Sequence, residues 1–210
     1  MFPKTTLLSY LALGDSYTIG EAVLPNQRWS EQLVQKLKPF GIDFSTLDII
    51  AKTGFTTAEL VEAIHQQNLS QTYDLVSLLI GVNNQYRGQS LEQFGIEFRQ
   101  LLATSTQLAG NSSRVFVLSI PDWGVSPFAQ NLDNAKIAHE IDAFNKLAKE
   151  ECNLLGIRFL DITPLSRKAL NDTTMIANDD LHFSEKMYKL WADFILETVR
   201  KMIAGNVPKI

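Results

Sequence analysis

Short apolar runs alternate with longer amphipathic stretches along this chain, and that alternation limits the folds open to it more than any other feature. The runs are Leu7–Leu13, Leu47–Ala51, Leu75–Ile80, Val115–Ile120 and Ile157–Leu160. Between and after them, the stretches 29–38, 57–68, 91–109, 133–153 and 185–204 repeat apolar residues at helical spacing. Leu91, Phe94, Phe98, Leu101 and Leu102 share one such face; Met187, Leu190, Trp191, Phe194, Ile195, Val199 and Met202 share another, with Ser184 placed to N-cap it. Brief runs without polar alternation read as strands covered on both faces. Strands that alternate with helices imply right-handed crossovers. The expectation is therefore an α/β fold, a three-layer α/β/α sandwich around a five-stranded parallel sheet. No repeat, low-complexity tract or linker divides the 210 residues, so the chain reads as one domain spanning 1–210.

Composition narrows the partners. With 19 Lys+Arg against 23 Asp+Glu, the net charge is −4, and nothing supplies the positive excess that drives general nucleic-acid or anionic-lipid binding. No apolar run approaches the ~18–20 residues needed to cross a bilayer, so no stable membrane insertion is expected. The opening, MFPKTTLLSYLALGDS, makes a poor signal peptide and a good first strand. Together with one cysteine, Cys152, read as a packed thiol, this points to a cytoplasmic protein, or a periplasmic or secreted one if a leader was removed. The partner expected is a small-molecule substrate; the oligomeric state is left open.

In doubly wound sheets, ligands bind beyond the carboxyl ends of the strands. The loops found there hold polar groups of several chemical kinds. After the first strand comes Gly14-Asp15-Ser16-Tyr17-Thr18-Ile19-Gly20, with a serine entering a helical turn. A lone serine there is an ordinary helix cap, and as a nucleophile it needs a base to take its proton. Of the three histidines, His65 and His139 fall within helices as surface or half-buried residues, whereas His182 ends Asp179-Asp180-Leu181-His182 before the last helix. Asp179 is one turn of chain away, close enough to fix the imidazole tautomer and leave the other nitrogen free as a base. Gly54, in Thr53-Gly54-Phe55, allows close approach of a backbone N–H, and Asn83, in Gly81-Val82-Asn83-Asn84, offers an amide to a developing oxyanion. Each feature alone is more simply a cap or a turn; all four fall after strands or just before the last helix.

These blocks, in order from residue 14 to residue 182, resemble the SGNH (GDSL-type) hydrolase superfamily of esterases and lipases. Gly14-Asp15-Ser16, Gly54, Gly81-Val82-Asn83 and Asp179…His182 match its motifs; Asn84 departs, standing where the family usually has Asp. The resemblance implies a flavodoxin-like fold with Ser16 as nucleophile, His182 as general base and Asp179 orienting it. It also implies an oxyanion hole made of the Ser16 and Gly54 N–H groups with the Asn83 amide. The reaction implied is hydrolysis of carboxylic esters, with neither cofactor nor metal. Short acyl or acetyl esters are favoured because no long apolar lid segment is visible; the alternative is lysophospholipase or thioesterase activity on longer chains. Tyr17, Phe55, Tyr86 and Trp123 are candidate substrate contacts, with Phe128 nearby; Pro121-Asp122-Trp123-Gly124 is expected to overhang the site, and Arg87 to be solvated or to meet an anionic group.

Rival classes are weaker. A non-catalytic nucleotide- or flavin-binding module on the same fold would want a Gly-rich phosphate loop, but Asp15 opposes phosphate there and neither dinucleotide nor P-loop pattern occurs. A metal-assisted hydrolase would need Asp179, Asp180 and His182 to serve one ion from a single tetrapeptide, a poor fit.

Overall fold

The apolar runs form strands because they are wrapped from both sides, and the wrapping is uneven. A computed structural model of the protein describes residues 7–206; the leader reading of the chain's start falls partly on residues 1–6, outside the described residues. The strands are β1 (Leu8–Gly14), β2 (Phe44–Ala51), β3 (Leu75–Leu79), β4 (Val115–Leu118) and β5 (Arg158–Leu160). All pair in parallel, in the order β2-β1-β3-β4-β5. The helices are α1 (Ser16–Ile19), α2 (Trp29–Leu37), α3 (Thr57–Gln67), α4 (Val82–Tyr86), α5 (Leu91–Ala109), α6 (Asn134–Leu154), α7 (Thr163–Ser166) and α8 (Glu185–Asn206). Packed against one another, α2 and α8 form one outer layer, while α3, α5 and α6 form the other. Among the described residues, no helix is long and apolar enough to cross a membrane.

The five long helices lie within a residue or two of their expected bounds. Of the short helices, α1 is the helical turn expected at Ser16, whereas α4 and α7 were not expected, since four or five residues cannot display a helical period. All three sit at the site end of the sheet. Burial on both faces holds for the central strands: Tyr10, Leu11, Ala12 and Leu13 of β1, all of β3 and all of β4 are buried. It fails for β2, none of whose residues is fully buried, and for β5, where only Leu160 is. Both are sheet edges, and a continuous apolar run does not say which strand will be outermost. Ser184 stands at the start of α8, its carbonyl accepting from Tyr188 N–H, but its hydroxyl donates to the Thr174 carbonyl at 2.7 Å rather than capping the helix.

The core closes around α8, where Met187, Tyr188, Trp191, Ala192, Ile195 and Val199 are fully buried. Each large apolar side chain so buried contributes roughly 1.5–3 kcal/mol. Cys152 is buried, and burial with the adjacent Glu151 charge pushes its thiol up to about 12, which makes it a packed, inert thiol. This strand order is that of the flavodoxin-like fold: the connections leave neighbouring β1 and β3 in opposite directions, so a crevice opens between their carboxyl ends. Ser16 and Asn83 stand in the first turns beyond those two strands.

Candidate active site

A cleft of about 150 Å³ opens there, walled by Ser16, Tyr17, Val82, Asn83, Tyr86, Trp123, Phe128, Leu181 and His182. Residues from four post-strand segments thus meet at one place, although Ser16 and His182 stand far apart in sequence. Each segment is held by its own local chemistry.

Ser16 begins α1 directly after β1. The preceding Asp15 caps this helix, its carboxylate accepting from Tyr17 N–H at 3.0 Å. Gly14 is the last residue of β1 because nothing larger fits: a Cβ there would lie 2.2 Å from Thr18 Oγ1 and 2.4 Å from the Leu79 carbonyl oxygen. That close approach lets Thr18 of α1 pack directly on the end of β1, beside β3. Asp15 is buried, and its other carboxylate oxygen has no hydrogen-bond partner among the described residues. Burial pushes its carboxyl up to about 7, against the lowering influence of the Tyr17 N–H.

An unfolded Asp titrates near 3.9, so the native state holds the Asp15 proton more tightly and ionisation works against folding. Stability from this group is complete below about pH 4 and is lost as pH rises towards 7, by on the order of 4 kcal/mol at most. Asp15→Asn keeps an acceptor for the cap and removes the charge. It should raise the melting temperature more at pH 8 than at pH 5, by roughly 5–10 °C, at about 2–4 °C per kcal/mol for this chain length. Thermal melts of both proteins at the two pH values check this; an equal difference at both would refute it.

His182 is positioned by a self-stapled loop. Ile176 and Phe183 form an antiparallel bridge, and Ala177 N–H donates to the His182 carbonyl at 2.7 Å. Within the loop, Asp179 Oδ1 accepts from the N–H groups of Leu181 and His182 at 3.1 and 2.9 Å, and Oδ2 lies 2.6 Å from His182 Nδ1. A carboxylate only accepts, so Nδ1 carries the proton and Nε2 is left as the base nitrogen. Partial burial alone would raise the Asp179 carboxyl; the hydrogen bonds from His182 and Leu181 outweigh it and hold the group below its ordinary value. Beneath the imidazole lies the Tyr17 ring, edge-on at 5.8 Å between centroids. Tyr17 also packs on Phe183 and Trp191, so it serves both as core residue and as floor of the cleft.

Gly54 does not wall the cleft. It sits in a turn closed by Phe55 N–H donating to the Lys52 carbonyl at 3.1 Å, with φ of +90° at Gly54, the backbone of a type II turn that strains any larger residue. Asn83 does wall it, and its Nδ2 also donates to the Phe55 carbonyl at 2.9 Å, which leaves its second N–H free. Asn84 is wholly buried: Oδ1 accepts from Thr57 N–H at 3.1 Å, and Nδ2 donates to Thr57 Oγ1 at 2.6 Å and to Gln89. The negative charge of this corner is carried by Glu97, which accepts from Thr57, Gln89 and Gln93. An amide at position 84 therefore links α4 to α3 beside that carboxylate without like-charge repulsion.

Two sequence expectations about the walls need correction. Phe55 lines a separate groove beside β2, with Ile49, Ile50, Ala51 and Lys52, so only its carbonyl reaches the Asn83 amide. Pro121-Asp122-Trp123-Gly124 is buried in the wall instead of overhanging the site. Trp123 Nε1 donates to Gln85 at 2.8 Å, Gln85 donates to Glu140 at 2.7 Å, and buried Asp122 accepts from Arg167 Nε at 2.9 Å. Gln85 carried no sequence signal, because its role depends on facing an indole 38 residues away. Tyr86 stands edge-on to Trp123 at 5.4 Å, and Tyr86 and Phe128 remain exposed at the mouth. His65 and His139 lie exposed on α3 and α6, outside the cleft.

Comparison with known proteins agrees with this architecture. Among solved structures, the lipase/acylhydrolase from Enterococcus faecalis superposes with a TM-score of 0.69 at 19% identity, covering 93% of this chain and 96% of that one. The psychrotrophic esterase EstA from Pseudoalteromonas sp. gives 0.68 at 16% identity, covering 93% and 98%. An acetylxylan esterase from Geobacillus stearothermophilus gives 0.69 at 17% identity, covering 91% and 94%. At such identities the likeness establishes the fold alone. No protein of curated function matches the sequence significantly. The sequence model of the GDSL-like lipase/acylhydrolase family matches residues 12–190, a span that takes in every block around the cleft. By that match the chain belongs to the GDSL-like lipase/acylhydrolase family.

Proposed function

We propose that the protein is a serine esterase that hydrolyses carboxylic esters, short acyl or acetyl esters in particular, through an acyl-enzyme. The observation that carries the reading is the meeting of Ser16, Asn83 and His182 in one cleft, with Asp179 bonded to His182 Nδ1 at 2.6 Å. Ser16 Oγ attacks the ester carbonyl carbon while His182 Nε2 takes its proton. The tetrahedral oxyanion is held by the Ser16 N–H and the free N–H of Asn83 Nδ2, with the Gly54 N–H as third donor from the turn that Asn83 ties to the cleft wall through the Phe55 carbonyl. Collapse expels the alcohol, which takes the proton from His182. Water then attacks the acyl-enzyme with the same histidine as base, releasing the carboxylic acid and restoring Ser16. Asp179 keeps the imidazole in the required tautomer and stabilises its cation. No step calls for a metal or cofactor.

The walls supply a reason to keep longer acyl chains in view. Val82, Tyr86, Trp123, Phe128 and Leu181 are apolar or aromatic, and a hydrocarbon chain laid there gains roughly 0.8 kcal/mol for each buried CH₂. The deciding experiment is a series of p-nitrophenyl esters from acetate to dodecanoate, run beside acetylated xylose. The short-acyl reading expects kcat/KM to be highest at acetate or propionate. A steady rise to octanoate or beyond would transfer the assignment to longer-chain acyl hydrolysis, and an absence of turnover on every ester would refute the function.

A further inference from the structure

Three side chains of the α4 segment grip the turn after β2. Asn83 bonds the Phe55 carbonyl and Asn84 bonds Thr57, as described above; the third is Arg87, the residue that caps the C-terminus of α4. Arg87 Nη2 donates to the Gly54 carbonyl at 2.7 Å, and Nη1 donates to Glu59 at 3.2 Å. Glu59 is itself fixed as half of the capping box of α3, accepting from Thr56 N–H at 2.8 Å. On the other side of Gly54, the Thr53 hydroxyl donates to Glu21, which follows the nucleophile helix. Gly54, which lacks a Cβ and so has the least sterically restrained backbone in the turn, is thus pinned on both sides.

We infer that Arg87 is a positioning residue for the oxyanion hole, its guanidinium fixing the Gly54 backbone so that the Gly54 N–H faces the developing oxyanion. The inference rests on the oxyanion role proposed for Gly54. Both prongs of the guanidinium are engaged with protein groups, which replaces the expectation that Arg87 is merely solvated or waits for an anionic head group. An ideal Cβ on Gly54 would lie 3.6 Å from Nη2, so a permanent cation also sits beside the Gly54 backbone. An oxyanion donor loses value when it is free to turn away, because reorganisation then has to occur during reaction.

The test compares Arg87→Met and Arg87→Lys with the wild type on p-nitrophenyl acetate, a neutral ester that gives Arg87 no anion to bind. Arg87 is half exposed, so the Met variant should keep the fold and its melting temperature. The expected result is a fall in kcat of about 10-fold in Arg87→Met, with KM within about twofold, and partial recovery in Arg87→Lys. In amide NMR spectra of the ligand-free protein, the Gly54 and Phe55 resonances should shift in Arg87→Met while those of distant residues stay in place. A kcat within about twofold of wild type, a raised KM at unchanged kcat, or unmoved Gly54 and Phe55 resonances would each overturn the inference. The spectra need no turnover, so they judge Arg87 even if no ester is hydrolysed. Conversely, an inactive Ser16→Ala beside an unaffected Arg87→Met would sink the inference about Arg87 and leave the esterase reading standing.

Discussion

Ser16→Ala should leave a folded protein whose kcat on p-nitrophenyl acetate is lower by roughly 10³–10⁶. The size follows from the nature of the step: without the hydroxyl no acyl-enzyme forms, and what remains is the acceleration supplied by binding and oxyanion stabilisation to direct attack by water. The fold should survive because the backbone of Ser16 does the local structural work. Its carbonyl accepts from Gly20 N–H at 2.9 Å and Glu21 N–H at 3.0 Å, and neither bond involves the side chain. Steady-state rates with matched circular dichroism and melting curves check both halves. Wild-type turnover in Ser16→Ala would remove the nucleophile and with it the mechanism.

Asn83→Ala is expected to lower kcat by about 10²–10³ with little change in KM, the signature of an interaction made chiefly in the transition state. Two effects converge on this residue. Asn83 walls the cleft with one amide N–H free, and the other ties the Phe55 carbonyl at 2.9 Å, so truncation removes a donor and loosens the turn that carries Gly54. Asn83→Asp should be at least as harmful, because a carboxylate cannot donate to either oxygen and opposes the charge that develops. A tenfold rise in KM at constant kcat would instead make Asn83 a ground-state contact.

Much of this was legible in the amino-acid sequence, and the reasons differ from element to element. The central strands were readable because burial on both faces demands runs such as Leu75–Leu79, which no surface segment tolerates. The long helices were readable from their apolar stripes. Strand β2 was recognised but misjudged as covered on both faces, since its apolar residues are shared between a partly covered face and an open groove. The chemical groups of Ser16, Asn83, Asp179 and His182 stood out from short blocks in order. Gln85 and Glu97 did not, and Arg87 was noted without its role, because each draws its part from a partner that sequence spacing does not supply: an indole, a threonine hydroxyl and a glycine carbonyl. Asn84 looked like a bare departure from the family pattern until its two bonds to Thr57 across the α3–α4 junction and a third to Gln89 gave it a role.

The sequence by itself determined the layered fold and the local devices, because periodicity, caps and the three-residue reach from Asp179 to His182 are short-range properties of a chain. Tertiary structure alone decided which strands lie at the edges, which aromatics wall the cleft and which merely support it, and how the turn around Gly54 is held. Those outcomes depend on groups tens of residues apart arriving at the carboxyl ends of β1 and β3, where the reversal of strand order opens the sheet. Directional hydrogen bonds between such groups form only after the hydrophobic layers have set their distances.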